Sequence, residues 1–394
     1  MKILVICQYY FPEPFRLSDI CEELVCRGHE VTVITGLPNY PMGEIYEGYR
    51  NGEHREEIIK GVNVHRCYTI GRKHGPIYRF INYYSYMFSS TIFISKLKND
   101  YDVIFVNQLS PVIMTSAAIR YKKRNHKKIV LYCLDLWPES LTLGGVKTGS
   151  VIYKYFHRVS ERIYRSVDKI LVTSKLFSDY FEKQFDLHTV DYLPQYAEAI
   201  FTPDECMKVK DTYTDLMFTG NIGVAQSVLT ILNAAKLTLD IPNLRWHLVG
   251  DGAEFERLKK KASDIDLTNL IFHGRKPLKE MPYYYSMADA MLVTMQNDPI
   301  ISLTLPGKVQ TYMAAGKPII GAIDGETNRI ILESGCGYCS KAEDAESLAK
   351  NVRMFIKNNE KDTFSKCSRA YYENHFSKSQ FIEKLVKYLE LYRG

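Results

Sequence analysis

Leu305-Pro306-Gly307-Lys308-Val309-Gln310-Thr311-Tyr312-Met313-Ala314-Ala315-Gly316-Lys317-Pro318-Ile319-Ile320 reads as a Pro-Gly entry turn, a short helix with small residues on its late face, a glycine stop and a buried strand opened by Pro318. A helix that starts at a Pro-Gly turn has free backbone N–H groups at its positive dipole end, which suits it to hold a phosphate. Lys308 adds a mobile charge there. The plainer reading of Ala314, Ala315 and Gly316 is close packing of this helix on a sheet.

The residues before it follow one grammar, a strand, a glycine turn and a helix. Leu216–Thr219 runs into Gly220-Asn221-Ile222-Gly223, and a helical pattern follows through Val228, Ile231, Leu232 and Ala235. Trp246–Val249 with Gly250-Asp251-Gly252 repeats it, as does Leu270–His273 with Gly274-Arg275. Ala290–Thr294 and Pro318–Gly321 complete a predicted sheet. The first half opens in the same way: strand Lys2–Cys7, a proline-rich loop, a helix over Leu17–Cys26 and a strand over Val31–Thr35. Such units build doubly wound parallel sheets. A long irregular connection begins at Leu37, and a strand is expected near Val62–Arg66. Strand Lys128–Cys133 runs into Leu134-Asp135-Leu136-Trp137-Pro138-Glu139-Ser140, a loop at the carboxyl end of a strand, where open α/β sheets bind ligands.

At 394 residues, 46% apolar and 24% charged, the chain has a globular composition and the length of two domains. Ile3–Cys7 is too short for a signal sequence, so a cytoplasmic protein is expected. Pro76–Lys98 is aromatic and apolar, but Arg79, Asn82, Ser85 and Lys96 interrupt it, which excludes a spanning helix. It suits either core packing or a membrane interface. Residues 1–190 carry 26 Lys/Arg against 19 Asp/Glu, so the excess of positive charge lies in the first half. That half suits an anionic surface or a phosphorylated substrate.

Nine scattered cysteines fit reduced thiols, and Cys336-Gly337-Tyr338-Cys339 lacks the second pair a zinc site needs. Asp100-Tyr101-Asp102 and Asp264-Ile265-Asp266 precede strands, away from any ligand crevice, so no metal is expected. The absence of G-x-x-x-x-G-K-[ST], and of G-x-G-x-x-G after the first strand, argues against a nucleoside triphosphatase or a simple dehydrogenase.

The 305–320 block resembles the donor-binding segment of retaining family 4 glycosyltransferases of bacterial surface-polysaccharide assembly, including the N-acetylfucosaminyltransferase-like branch. Gly28-His29-Glu30-Val31-Thr32-Val33-Ile34-Thr35 and the Pro12-Glu13 loop are similar to that family's opening. The resemblance implies the GT-B fold, two Rossmann-like doubly wound domains facing a central cleft. The expected domains are 1–195 for the acceptor and 196–375 for the donor, with 376–394 a helix that returns to the first domain in the resembled fold. It implies a retaining, metal-independent transfer without a cofactor. The sugar, an N-acetylated deoxyhexose in the resembled branch, would pass from a UDP-sugar to a lipid-diphosphate-linked saccharide in capsule, O-antigen or exopolysaccharide synthesis. The protein would lie at the inner face of the cell membrane, touching its anionic surface, with no nucleic-acid partner.

The donor candidates are Gly220, Asn221 and Gly223 for the diphosphate; Arg275 and Lys276 in the loop that the resemblance assigns to the base; and Pro306, Gly307, Lys308, Gln310 and Thr311 for ribose, phosphates and sugar. The common family signature has two glutamates where this chain has Leu303 and Thr311, and Glu326 is the candidate replacement. On the acceptor side, Asp135 is the expected positioning or activating carboxylate and Glu139 the second. Glu13 and Arg16 lie in the first loop, where many relatives carry a glycine pair. Many relatives also carry a histidine where Leu134 stands. Two other readings of the same fold are a UDP-sugar 2-epimerase and a non-catalytic nucleotide-sugar-binding scaffold.

Overall fold

The computed structural model describes residues 1–73, 75–98, 100–208 and 211–394. The chain divides into two compact units. Unit 1 comprises Met1–Thr173, Phe177–Leu193 and Ile382–Gly394; unit 2 comprises Ser174–Leu176 and Pro194–Phe381.

Among its described residues unit 1 has eight strands: β1 (Lys2–Ile6), β2 (Glu30–Thr35), β3 (Glu56–Ile59), β4 (Val62–Arg66), β5 (Val103–Gln108), β6 (Ile129–Cys133), β7 (Lys169–Val172) and β8 (Val190–Tyr192). Their order is β3-β4-β2-β1-β5-β6-β7-β8. Every pair is parallel except β3 with β4, an antiparallel hairpin that pairs Glu56 with His65 and Ile59 with Val62. That hairpin arises inside the long connection where the sequence suggests only one strand, because Glu56–Ile59 is a half-exposed edge with weak patterning. The central strands β1, β5 and β6 are apolar runs because helices cover both faces of the sheet. The order reverses between β1 and β5, so their carboxyl ends open the crevice where a doubly wound sheet binds ligands. Within this unit Ile382, Leu385 and Leu389 of the last helix are buried, and Tyr388 donates to Asp191 at 2.7 Å.

Among its described residues unit 2 has six parallel strands: β9 (Thr214–Thr219), β10 (Leu244–Val249), β11 (Leu270–Gly274), β12 (Ala290–Thr294), β13 (Ile319–Ala322) and β14 (Gly337–Ser340), in the order β11-β10-β9-β12-β13-β14. Cys336 of the lone C-x-x-C directly precedes the edge strand β14 and Cys339 lies within it, both as free thiols. One apolar cluster packs around Met217, Met291, Val309 and Tyr312, a second around Phe218, Trp246, Leu248 and Ile320. The switch in strand order falls between β9 and β12. Helix Gly307–Ala314 starts at Pro306 and is closed by Gly316 at φ +64° before β13.

Candidate functional site

In unit 2 the turn after β9 is shaped by its neighbours. The Gly220 N–H donates to Val249 at 2.9 Å, and Ile222 donates to Asp251 at 2.9 Å. A side chain on Gly250 would begin 1.8 Å from the Gly220 carbonyl oxygen, and one on Gly252 would begin 2.5 Å from that of Ile222. The second glycine turn is therefore demanded by the packing of one turn on the next rather than by a ligand. Gly220 (φ +129°) and Asn221 remain exposed. The Asn221 amide donates to Gln226 at 3.0 Å, against Gly223.

Lys308, in the first turn of helix Gly307–Ala314, sends its ammonium under this turn. Nζ lies 3.2 Å from the point where a Gly220 side chain would begin and 3.8 Å from the centre of the Phe218 ring. It is buried with no hydrogen-bond partner among the described residues, and desolvation lowers its pKa from 10.5 to about 7. Pro306 at the N-cap offers no side-chain hydrogen bond, and its carbonyl accepts from the Val309 N–H at 3.0 Å, so the positive end of the helix and a desolvated cation meet at the switch point. Such an arrangement is suited to a phosphate.

Two candidates on the same helix do other work. Gln310 is fully buried, and with its amide nitrogen turned inward it donates to Pro306 at 2.9 Å and Gly307 at 3.1 Å. Thr311 donates to the Lys308 carbonyl at 2.8 Å and meets Tyr285, within a hydroxyl network that includes Thr219 and Tyr312. Both hold the helix start in place, a correction to their reading as ligand contacts. Glu326 is corrected likewise. It is buried, and its carboxylate is taken by Arg329 at 2.8 Å.

Arg275 is exposed after Gly274 at the end of β11, and the Lys276 ammonium lies 5.7 Å from the Tyr284 ring centre. Two strand spacings, about 10 Å, separate β11 from β9. Behind this loop lies a relay the sequence reading missed. Asp215 accepts from His247 at 2.8 Å, and His247 pairs with His273 at 2.9 Å. Burial, with the neighbouring His247 and Lys276, lowers the His273 pKa to about 4. Burial by itself would raise the Asp215 carboxyl, but hydrogen bonds from His247, Arg245 and Lys208 outweigh it and hold the group well below the carboxylate range. The available signal was a polar residue at an interior position on each of three strands.

In unit 1, Asp135 follows β6. Its carboxylate accepts from Ser110, whose hydroxyl lies 2.8 Å from that of Ser140, and burial raises its pKa against the Ser110 hydrogen bond. Its carbonyl accepts from Gln108 at 3.0 Å, so residues from the ends of β5 and β6 converge here. Glu139 is corrected as a catalytic candidate. It is 3% exposed, and its carboxylate accepts from Tyr153 at 2.7 and 2.8 Å and from Tyr180 at 2.5 Å. Glu13 is corrected too. It is buried and clamps the first loop to the 39–40 backbone, accepting from Asn39 at 2.8 Å, Tyr40 at 2.7 Å and Tyr10 at 3.2 Å. Desolvation nonetheless raises its pKa to about 7. Arg16 is the half-buried residue at the start of helix Leu17–Cys26. Among the described residues, no group of three or more His, Cys, Asp or Glu is placed to hold a metal ion.

Comparison with known proteins adds to this geometry. Residues 207–372 match the model described as glycosyl transferases group 1, and residues 16–194 match glycosyltransferase family 4. A Pseudomonas aeruginosa protein bearing the name glycosyltransferase WbjE is 30% identical over 256 residues, 61% of this chain and 62% of WbjE. The chain thus matches less than two thirds of that relative's length. An Escherichia coli K12 protein named as the colanic acid biosynthesis glycosyl transferase WcaI is 23% identical over 98% of this chain and 99% of its own. Anabaena Alr3699/HepE, solved in complex with UDP and glucose, superposes with a TM-score of 0.71 at 14% identity, covering 99% of both chains.

Proposed function

Since the chain belongs to the family 4 glycosyltransferases of the GT-B fold, we propose that it transfers a sugar from a UDP-sugar to a lipid-diphosphate-linked saccharide. The process is assembly of a bacterial surface polysaccharide, and the sugar is an N-acetylated deoxyhexose. The observation that carries the donor side is the Lys308 ammonium beneath the Gly220 turn, without a hydrogen-bond partner among the described residues, beside the start of helix Gly307–Ala314. The names of WbjE and WcaI and the UDP complex of HepE support the class of reaction and the nucleotide.

In this reading the bond between the anomeric carbon and the diphosphate breaks, and charge grows on the departing oxygen. Lys308 and the first N–H groups of helix Gly307–Ala314 offset that charge, and Arg275 adds a second cation. No metal is required by this scheme. The acceptor hydroxyl gives its proton to the departing diphosphate oxygen as the new glycosidic bond forms on the face from which the diphosphate leaves, so configuration is retained. Asp135 positions that hydroxyl. No helix among the described residues is long and apolar enough to cross a membrane, and the enzyme is read as peripheral at the inner membrane face.

The test is thermal shift with UDP-, GDP- and dTDP-sugars in EDTA. The expected result is stabilisation by one UDP-sugar, lost in Lys308→Ala. That donor is then incubated with lipid-linked saccharides, and the anomeric configuration of the product is read by NMR. Binding without transfer to any acceptor would favour the scaffold, and turnover of the donor by itself would favour the epimerase.

A further inference from the structure

Helix Pro76–Lys96 in unit 1 has two faces. Tyr83, Tyr86, Ser90 and Ile94 are buried, whereas Ile77 (72% exposed), Ile81, Phe88 (59%) and Ile92 (59%) face outward. At about 100° per residue those four positions fall within an arc of about 60° along the whole helix. Core packing and outward display are thus both true of this segment, on opposite sides. Helix Val151–Tyr164 lies beside it, joined by the stacked rings of Phe80 and Phe156 at 5.7 Å. Its first turns present Val151 (84% exposed), Ile152 and Tyr155. Scattered exposed apolar residues are ordinary, but a stripe joined to a protruding helix start is not.

The charge around this surface is mainly positive: Glu161, late on the second helix, is paired with Arg165, and Glu44, beside Gly71, with Arg50. Residues 72–96 and 145–160 carry seven Lys/Arg and no Asp/Glu, and Lys73, Arg79, Lys147, Lys154 and Arg158 are exposed. This rim selects the occupant. A second copy of the chain would bring the same cations against themselves, which an isologous contact cannot relieve. A bilayer with anionic headgroups complements the cations and accepts the isoleucines and aromatic rings at its acyl boundary.

We propose that helices Pro76–Lys96 and Val151–Tyr164 form a membrane-docking surface that seats the protein on an anionic lipid bilayer, inserting Ile77, Ile81, Val151 and Ile152 between headgroups held by Lys73, Lys147 and Lys154. This deepens the reading of a lipid-linked acceptor, because it names the surface that brings the enzyme to its substrate. Its test does not depend on catalysis.

The full chain is sedimented with vesicles of phosphatidylglycerol and phosphatidylethanolamine, and separately with phosphatidylcholine vesicles, at low and high salt. Binding is expected only to the anionic vesicles and is weakened by salt. Ile77→Ser/Ile81→Ser and Val151→Ser/Ile152→Ser should each lower it about tenfold or more. Lys147→Glu/Lys154→Glu should lower it about fivefold or more per charge changed. All three variants should keep the wild-type thermal shift with the UDP-sugar, which shows that they fold. Absence of vesicle binding by the wild type, or binding indifferent to the serine variants, would overturn the proposal and leave the donor-site reading intact. A dimer in sedimentation equilibrium that the serine substitutions dissociate would assign the surface to a second copy instead. Vesicle binding without any nucleotide-sugar binding would sink the enzyme reading and spare this one.

Discussion

The Lys308 ammonium stands 3.8 Å from the centre of the Phe218 ring, buried and without a hydrogen-bond partner among the described residues. The ring face offers the cation a partial substitute for water, but desolvation still lowers its pKa to about 7. A charge held this way costs the folded protein stability and is recovered when an anion arrives.

Lys308→Met should therefore raise the melting temperature of the ligand-free protein, by about 2–4 °C for each kcal/mol of burial cost removed. The same substitution should weaken UDP-sugar binding about 10- to 100-fold, the worth of charge-assisted hydrogen bonds. Calorimetric melting and titration on one preparation check both. A variant that melts lower and still binds normally would remove Lys308 from the site.

The sign of the pH effect follows from the same lysine. Its folded pKa, about 7, lies below the ordinary 10.5, so between those values the unfolded chain binds more protons and ligand-free stability rises with pH. A bound diphosphate favours the charged lysine. Binding above pH 7 should then take up a proton, and affinity should fall as the pH rises. Titration calorimetry in buffers of different ionisation enthalpy measures that proton directly.

The glycines of the two turns should fail differently. Gly250→Ala drives a side chain into the Gly220 carbonyl oxygen at 1.8 Å, so it should destabilise the protein by about 2 kcal/mol or more, seen in denaturant melts. Gly220→Ala meets only the Lys308 tip, at 3.2 Å, on a backbone at φ +129°. Its larger effect should be on donor affinity, read by titration.

Asp135 and Glu139 lie four residues apart and should separate just as clearly. Glu139→Gln turns an amide N–H₂ toward a phenol donor, Tyr153 or Tyr180, and should cost about 1–3 kcal/mol of stability. The folded fraction should keep its turnover. Asp135→Asn removes a half-buried carboxylate whose charge desolvation already disfavours, so stability should hold while kcat falls about 100-fold or more. Equal turnover in the two variants would overturn the assignment.

His273 gives unit 2 an acid limit. Its folded pKa, about 4, is below the ordinary 6.5; below 6.5 the unfolded chain takes up a proton that the folded chain resists until about 4. Stability should fall as the pH drops through that window. His273→Phe should flatten the slope in melts between those limits.

The amino-acid sequence by itself determined the repeating strand, glycine turn and helix units, the helix that starts after Pro306, and the loops that follow the strands. These depend on period, on proline and glycine dihedrals and on apolar runs, all properties of neighbours along the chain. It also pointed to Lys308 and Asp135. Only the tertiary structure decided what each polar group faces. Glu139, Glu13, Glu326, Gln310 and Thr311 have the composition of a site, yet their atoms are taken by Tyr153 and Tyr180, the 39–40 backbone, Arg329 and the start of their own helix. The Asp215–His247–His273 relay and the Lys308–Phe218 contact join residues 26 to 90 positions apart. Strand order and register create such pairs. They are settled when the whole sheet closes, and no local stretch of chain encodes them.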